Sequence, residues 1–231
     1  MKIKVNLHLH TDDDPEDKID YSAYEAIDYA KNLGFDALAI TCHNYYAWCE
    51  DYAEYADKKG VTLIRGIEST ISTKTENRGK HVLILGADKD VELIKTFDQL
   101  IDYRRSKPDI LVIAPHPYFD PFLSLQGLVE DYIDVFDAIE HSWFYSRGFN
   151  LNKKAIDLAN RHQKPLVATS DTHFLDHINE HYTYVDAPDR SEASILQAIK
   201  GGLVTIQTRP HKLVSEMIIP QLKFTLRNFL S

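Results

Sequence analysis

The stretch IKVNLHLH, residues 3–10, alternates apolar and polar positions as a half-buried strand does and ends in two histidines one residue apart. Side chains two apart on an extended chain share a face, so His8 and His10 project to one side, as two ligands of one metal must. An exposed strand face explains a lone His-x-His equally well. The reading therefore depends on whether the pattern recurs along the chain.

It does recur. Further short runs rich in Val, Ile and Leu read as strands at 36–41, 61–66, 82–86, 110–115, 135–140 and 165–170. Amphipathic stretches at 21–33, 46–59, 89–104, 122–132, 150–162 and 191–200 read as helices, with Ser22 as an N-cap and Gly34 and Gly60 as stops. This alternation predicts βα units wound into a parallel α/β barrel of about seven units, slightly short of the roughly 250 residues of an eight-unit barrel. No linker, repeat or low-complexity segment divides the chain. Residues 1–231 thus read as one barrel domain, with 211–231 a helical extension that Pro220 must kink or divide.

In such a barrel the active site gathers at the carboxyl ends of the strands. Those ends carry His8 and His10, then His43, Glu68, His116, Glu140 with His141, and finally Asp171 with His173. Each has a bland local explanation, such as a loop histidine bonded to backbone or a solvated carboxylate. All of these would have to hold at once. Imidazole mixed with carboxylate, without a thiolate cluster, suits Zn, Mn or Fe(II), with Mg also compatible, and more than four ligands imply two or three divalent ions.

Composition sets the outer bounds. The chain has 231 residues, 44% of them apolar, which excludes fibrous and disordered classes. With 26 basic against 35 acidic residues the net charge is −9, which argues against a grip on duplex nucleic acid. Two cysteines, Cys42 and Cys49, are too few to staple a secreted fold, and no apolar run approaches a membrane span. A cytoplasmic location without membrane partners is expected, and the oligomeric state is left open. The count of 11 histidines is the anomaly to be explained.

With HLHT at 8–11, TCHN at 41–44, GIE at 66–68, APHP at 114–117 and SDTH at 170–173, the sequence resembles the polymerase and histidinol phosphatase (PHP) family of metal-dependent phosphoesterases over roughly residues 1–210. The resemblance implies a distorted, TIM-like (β/α)7 barrel with up to three metals at the carboxyl ends of its strands. It implies ligand roles for His8, His10, His43, Glu68, His116, Asp171 and His173, with Glu68 bridging. His8, His10, Glu68, His116, Asp171 and His173 also form the implied catalytic set. His81 joins the ligands on the resemblance alone, because it precedes its strand instead of following it. The first-motif acidic ligand falls in DDDPED, 12–17, and is Asp14 or Asp17, with Asp14 favoured. Cys42 stands where the family usually has Asp; a Cys42–His43 nucleophilic pair is disfavoured because neighbours on an extended strand point apart.

The implied activity is hydrolysis of a small phosphorylated metabolite or nucleotide by a metal-bridging hydroxide, with Arg147 and Arg209 as candidate phosphate anchors. A nuclease or oligonucleotide phosphatase of the same chemistry is the alternative, which a basic, aromatic-lined groove would favour. Two others differ in class: a catalytically degraded binding module, hinted at by Cys42 and the altered first turn, and an amidohydrolase-like enzyme, which would need a lysine ligand after a middle strand. His162, His177, His181 and His211 are left to surface or local structure.

Overall fold

In the computed structural model, which describes residues 1–72, 79–119 and 121–229, ten strands pair into two mixed five-stranded sheets. The first contains β1 (Lys2–Asn6), β2 (Ala37–Ala39), β3 (Thr62–Ile64), β9 (Tyr182–Asp186) and β10 (Val204–Gln207), in the order β10-β9-β1-β2-β3. The second runs β4-β5-β6-β7-β8, from β4 (Gly66–Ile71) and β5 (Lys80–Leu85) through β6 (Leu111–Ala114) and β7 (Ala138–His141) to β8 (Leu166–Ala168).

This corrects the expectation of a single (β/α)7 barrel. The sequence pattern does find β1, β2, β3, β5, β6, β7 and β8, but it omits β4, β9 and β10 and assumes parallel pairing throughout. In the structure β4–β5, β5–β6, β1–β9 and β9–β10 are antiparallel. Chain length gives the reason at β4–β5: only eight residues separate the two strands, whereas a parallel crossover needs a dozen or more. β4 escaped notice because it follows β3 after one residue and carries Glu68, Ser69 and Thr70 among its apolar positions.

Helices cover the outer faces. α1 (Ala23–Asn32) and α2 (Glu50–Lys58) bury Ala26, Ile27, Ala30 and Ala56 against Leu38 and Ile40. α3 (Phe97–Ser106), α4 (Leu128–Asp131) and α5 (Asn152–His162) bury Phe97, Leu100, Val129 and Leu158 against Ile67, Ile84 and Val112. A third apolar cluster joins side chains of both sheets, including Val5, Ile64, Ile113 and Val167, to Ile195 and Ile199 of α6 (Glu192–Lys200). Ser22 and Glu25 cap α1 reciprocally, and Thr96 and Gln99 do the same for α3. The stretch read as one helix over 89–104 is thus a short 3-10 turn followed by α3. At the carboxyl end a π-helical turn, Leu213–Ile218, gives way to α7 (Ile219–Phe229) with Pro220 at the join; residues 230 and 231 of the expected extension lie outside the described residues. Among the described residues no helix is long and apolar enough to cross a membrane.

Where the sheets meet, pairing thins to single bridges. His43 bridges Glu68, and Leu9 bridges Thr172. The segments beyond β1 and β2 are thereby held beside β4 and the segment beyond β8, which brings distant ligand-type residues to one end of the molecule. Gly66 makes the approach of β4 possible: a Cβ there would lie 2.6 Å from Leu85 Cδ2 and 3.0 Å from Thr41 Cγ2. Gly66→Ala is expected to destabilise the protein by about 1–3 kcal/mol through overpacking, read from the midpoint of denaturant unfolding.

Candidate metal centre

Glu68, on the middle of β4 and 1% exposed, lies at the centre of the cluster. Its Oε2 is 3.1 Å from His8 Nε2 and 3.1 Å from His43 Nε2, and its Oε1 is 2.8 Å from His81 Nδ1 and 3.1 Å from His116 Nε2. Asp171 Oδ1 lies 3.3 Å from His8 Nε2, 3.4 Å from His10 Nε2 and 3.4 Å from His173 Nδ1. His81 reaches this end because β5 runs antiparallel to β4, so its amino end coincides with the carboxyl ends of the parallel strands; Thr70 pairs with His81 two residues from Glu68.

Most of the imidazoles are gripped from behind at Nδ1. His8 Nδ1 donates to Glu140 Oε2 at 3.1 Å, His10 Nδ1 to Asp14 Oδ2 at 2.8 Å and His43 Nδ1 to the same Asp14 oxygen at 3.0 Å. His116 Nδ1 lies 3.3 Å from Ser124 Oγ, and His173 Nδ1 donates to the carbonyl of Asp171 at 3.0 Å. A ring that spends its Nδ1–H this way turns Nε2 inward with a free lone pair, which is the tautomer a metal ligand needs. His81 alone in the set directs Nδ1 inward.

His116 and Asp171 both adopt the left-handed backbone region, with φ of 27° and 44°. Non-glycine residues are held there only where surrounding structure over-determines them. The two prolines around His116 and the Leu9–Thr172 bridge beside Asp171 provide that constraint.

Burial alone would raise the pKa of Glu68, but His81, His8 and His43 outweigh it and hold the carboxyl well below its usual range. Asp171 is likewise pushed up by burial and held well down by His8 and His173. For His8, burial opposes the charge, yet Glu68, Asp171 and Glu140 raise its pKa well above the usual value, and Glu68 with Asp14 does the same for His43. His10 goes the other way, lowered by burial and by His173 and His43.

Three inward-facing atoms of this cluster, His10 Nε2, His81 Nδ1 and Asp171 Oδ1, are buried without a hydrogen bond. Unsatisfied buried polar atoms are rare, and three converging on one carboxylate fit a missing cation. Four overlapping donor sets lie within 4.8 Å: His10, His43 and His173; His8, His10, Glu68 and Asp171; His43, Glu68 and His81; Asp14, Asp17 and His43. These groups could hold divalent ions. A cavity of about 140 Å³ opens over them, with Glu68, Asp171, Asp17 and His116 in its floor.

Residues 6–107 match the model of the PHP domain, and residues 150–204 match that of the PHP-associated region. The chain belongs to the PHP family. No curated protein matches this PHP chain at the sequence level. Among solved structures it is similar to a two-domain protein containing a predicted PHP-like metal-dependent phosphoesterase from Bacteroides vulgatus, at 18% identity and a TM-score of 0.69, covering 90% of this chain and 65% of that one. It is similar to PsfC from Pseudomonas syringae at 15% identity and a TM-score of 0.64, covering 100% and 99%. It is also similar to the lesion-specific endonuclease PfuEndoQ from Pyrococcus furiosus, at 16% identity and a TM-score of 0.63, covering 89% and 58%. At these identities the likenesses show the fold, and the PHP chain spans less than two thirds of the Bacteroides protein and of the endonuclease. A nuclease among the neighbours also means that the fold does not itself weigh against nucleic acid.

Asp14 and Asp17 both reach the cluster of the PHP chain, in different ways. Asp14 accepts the backbone N–H groups of Glu16, Asp17 and His43 besides the two imidazoles, whereas Asp17 borders the cavity with Oδ2 3.1 Å from His173 Nε2. Cys42 is fully buried among Leu9, Ile40 and Ile27, and burial pushes its thiol up to about 12, which makes it a packing residue and no nucleophile. Arg147 and Arg209 are not brought to the cluster; they border another hollow, where Arg209 pairs with Glu180 and Glu216. Of the histidines left to surface or local structure, His181 and His211 are buried, with Nε2 atoms 2.7 Å apart. Ser124 and the aromatic lining of the cavity were not singled out, since neither carries a periodic or spaced signal in the chain.

Proposed function

We propose that this PHP chain is a divalent-metal-dependent phosphoesterase acting on a small phosphate ester. The observation that carries the reading is the central Glu68 carboxylate, faced by five histidines, with buried atoms of His10, His81 and Asp171 left without a hydrogen bond. His8, His10, His43, His81, His116, His173, Glu68, Asp171 and Asp17 would hold two or three ions. Asp14 and Glu140 would position His10, His43 and His8 from behind, because the Asp14 oxygens are already saturated with donors.

Bound Zn, Mn or Fe would supply Lewis acidity and an activated water at this floor. Hydrolysis adds that water across the ester: a new P–O bond forms, the P–O bond to the alcohol breaks, and the alcohol oxygen leaves with a proton. The chain turns Nε2 of His8, His10, His43 and His116 toward the floor and keeps Glu68 and Asp171 ionised at neutral pH. Among the described residues lining the cavity there is no lysine or arginine, and the chain carries a net charge of −9. That supports a small ester over a polynucleotide, whose backbone needs a basic track.

Metal content measured together with a screen of phosphomonoesters and dinucleotides in Mn(II) or Zn(II) tests this. Hydrolysis of a monoester that falls steeply in His116→Ala is the expected result; tight metal with no hydrolysis of any phosphate ester overturns the reading.

Metal uptake should also release protons. His8 and His43 are raised well above the usual imidazole value, so the metal-free protein carries protons on both rings at neutral pH, and a ligand imidazole must shed its proton. Binding at pH 7 is expected to release protons from these rings, and affinity to weaken as the pH falls because protons compete more strongly. Calorimetry in buffers of different ionisation enthalpy measures the count; no release would contradict the assignment of these two ligands.

A further inference from the structure

The ester's alcohol is addressed by the cavity walls. Four half-buried aromatic side chains line the cavity beside its polar floor: Phe119, Trp143, Phe174 and Phe224. They form two groups. Phe119 and Trp143 are joined through Phe144, whose ring centroid lies 4.7 Å from the first and 5.3 Å from the second. Phe224, from α7, stands edge-on to His173 at 4.7 Å and lies 6.3 Å from Phe174. Arg227 spans that second pair, 4.9 Å from the Phe174 ring and 5.5 Å from the Phe224 ring.

The helix supplying Phe224 is fastened to the acidic segment that borders the floor. Arg227 pairs with Asp20 at 2.7 Å, and Asn228 donates to Asp17 Oδ1 at 2.6 Å while accepting from the Lys18 N–H at 2.9 Å. Asp17 in turn meets His173 at 3.1 Å. Phe224 is thus placed at a fixed position against the floor. Aromatic faces offer a planar ring stacking that a flexible, polar alcohol cannot match.

We propose that the cavity takes a phosphate ester whose alcohol carries a planar ring, with Phe224 as a specificity-determining residue against which the ring packs. This rests on the phosphoesterase reading of the floor.

Adenosine 5′-monophosphate and ribose 5-phosphate release the same primary hydroxyl, so a difference between them reports the ring and not the leaving-group chemistry. With the full chain in Mn(II), kcat/KM is expected to be about tenfold or more higher for the nucleotide. Phe224→Ala should collapse that ratio through KM, and Phe224→Tyr, which keeps the π-face, should retain it. Calorimetry with adenosine and ribose reads the same wall without turnover: adenosine should bind, ribose should not at equal concentration, and Phe224→Ala should weaken adenosine. Equal kcat/KM for the two esters, or adenosine binding indifferent to Phe224→Ala, overturns the inference. Phe224-dependent adenosine binding with no hydrolysis of either ester supports the ring site while overturning the phosphoesterase reading alone.

Discussion

Glu68→Gln is expected to lower kcat/KM for phosphomonoester hydrolysis by about a thousandfold or more, equivalent to roughly 4 kcal/mol of transition-state stabilisation. The substitution keeps the shape of the side chain and removes only its charge. That charge is what five imidazoles face, at 2.8 to 3.4 Å. A neutral amide would present N–H groups to some of these nitrogens and leave the positive centres of the floor without their shared anion. Bound metal per chain should fall in parallel, measured by elemental analysis after dialysis. In the metal-free protein the same exchange should lower the affinity of His8 and His43 for protons, because Glu68 heads the charges that raise both. Activity within tenfold of the parent, with metal content unchanged, would remove Glu68 from the bridging position.

How much of this was legible in the chain varies residue by residue. His8, His10, His43 and His116 stood at the ends of strands that apolar runs mark clearly, and the structure does gather them at one end. Glu68 was found for an incomplete reason: it was read as the residue after a third strand, yet it lies inside a separate strand, β4, whose polar middle hid it. His81 broke the strand-end rule because the rule assumes parallel strands, and β5 runs the other way. The same assumption produced the single barrel. Apolar patterning reports that a run is buried, but the direction in which it pairs depends on connections of a few residues and on edges that periodicity does not describe.

The carboxylates behind the histidines were only half visible. Asp14 and Asp17 fall in one acidic hexapeptide, and nothing in the spacing says which oxygen set is filled by backbone N–H groups and which looks into the cavity. The buried contact of His181 with His211 joins residues 30 apart, and the aromatic lining is drawn from positions between 119 and 224. Both depend on tertiary placement alone. Cys42 reads as a packing residue or a lost acidic partner; it is fully buried in the apolar cluster around Leu9 and Ile40, with Sγ 3.6 Å from Thr11 Oγ1.

The double variant His8→Ala/His10→Ala is expected to lose tight metal binding and, with it, the metal-dependent part of the stability. Each ring contributes an Nε2 within 3.4 Å of both Glu68 and Asp171, so among the described residues this is the pair that meets these two carboxylates together. A ligand present at about a thousand times its Kd stabilises the folded state by roughly 4 kcal/mol, so metal should raise the parent's melting temperature by several degrees. In the double variant that rise should vanish. The metal-free melting temperature needs its own reading, because truncating two buried rings also removes one hydrogen-bond partner each from Asp14 and Glu140 and lowers stability without any metal. The informative quantity is therefore the difference between metal-loaded and metal-free melting, compared across parent, double variant and Glu140→Gln. Glu140→Gln keeps both ligands and loosens the grip on His8 and on the backbone N–H of His116, so it should weaken metal by about ten- to a hundredfold and retain part of the rise. A double variant that still binds metal tightly and still gains stability from it would mean that the first strand's histidines are not the ligands.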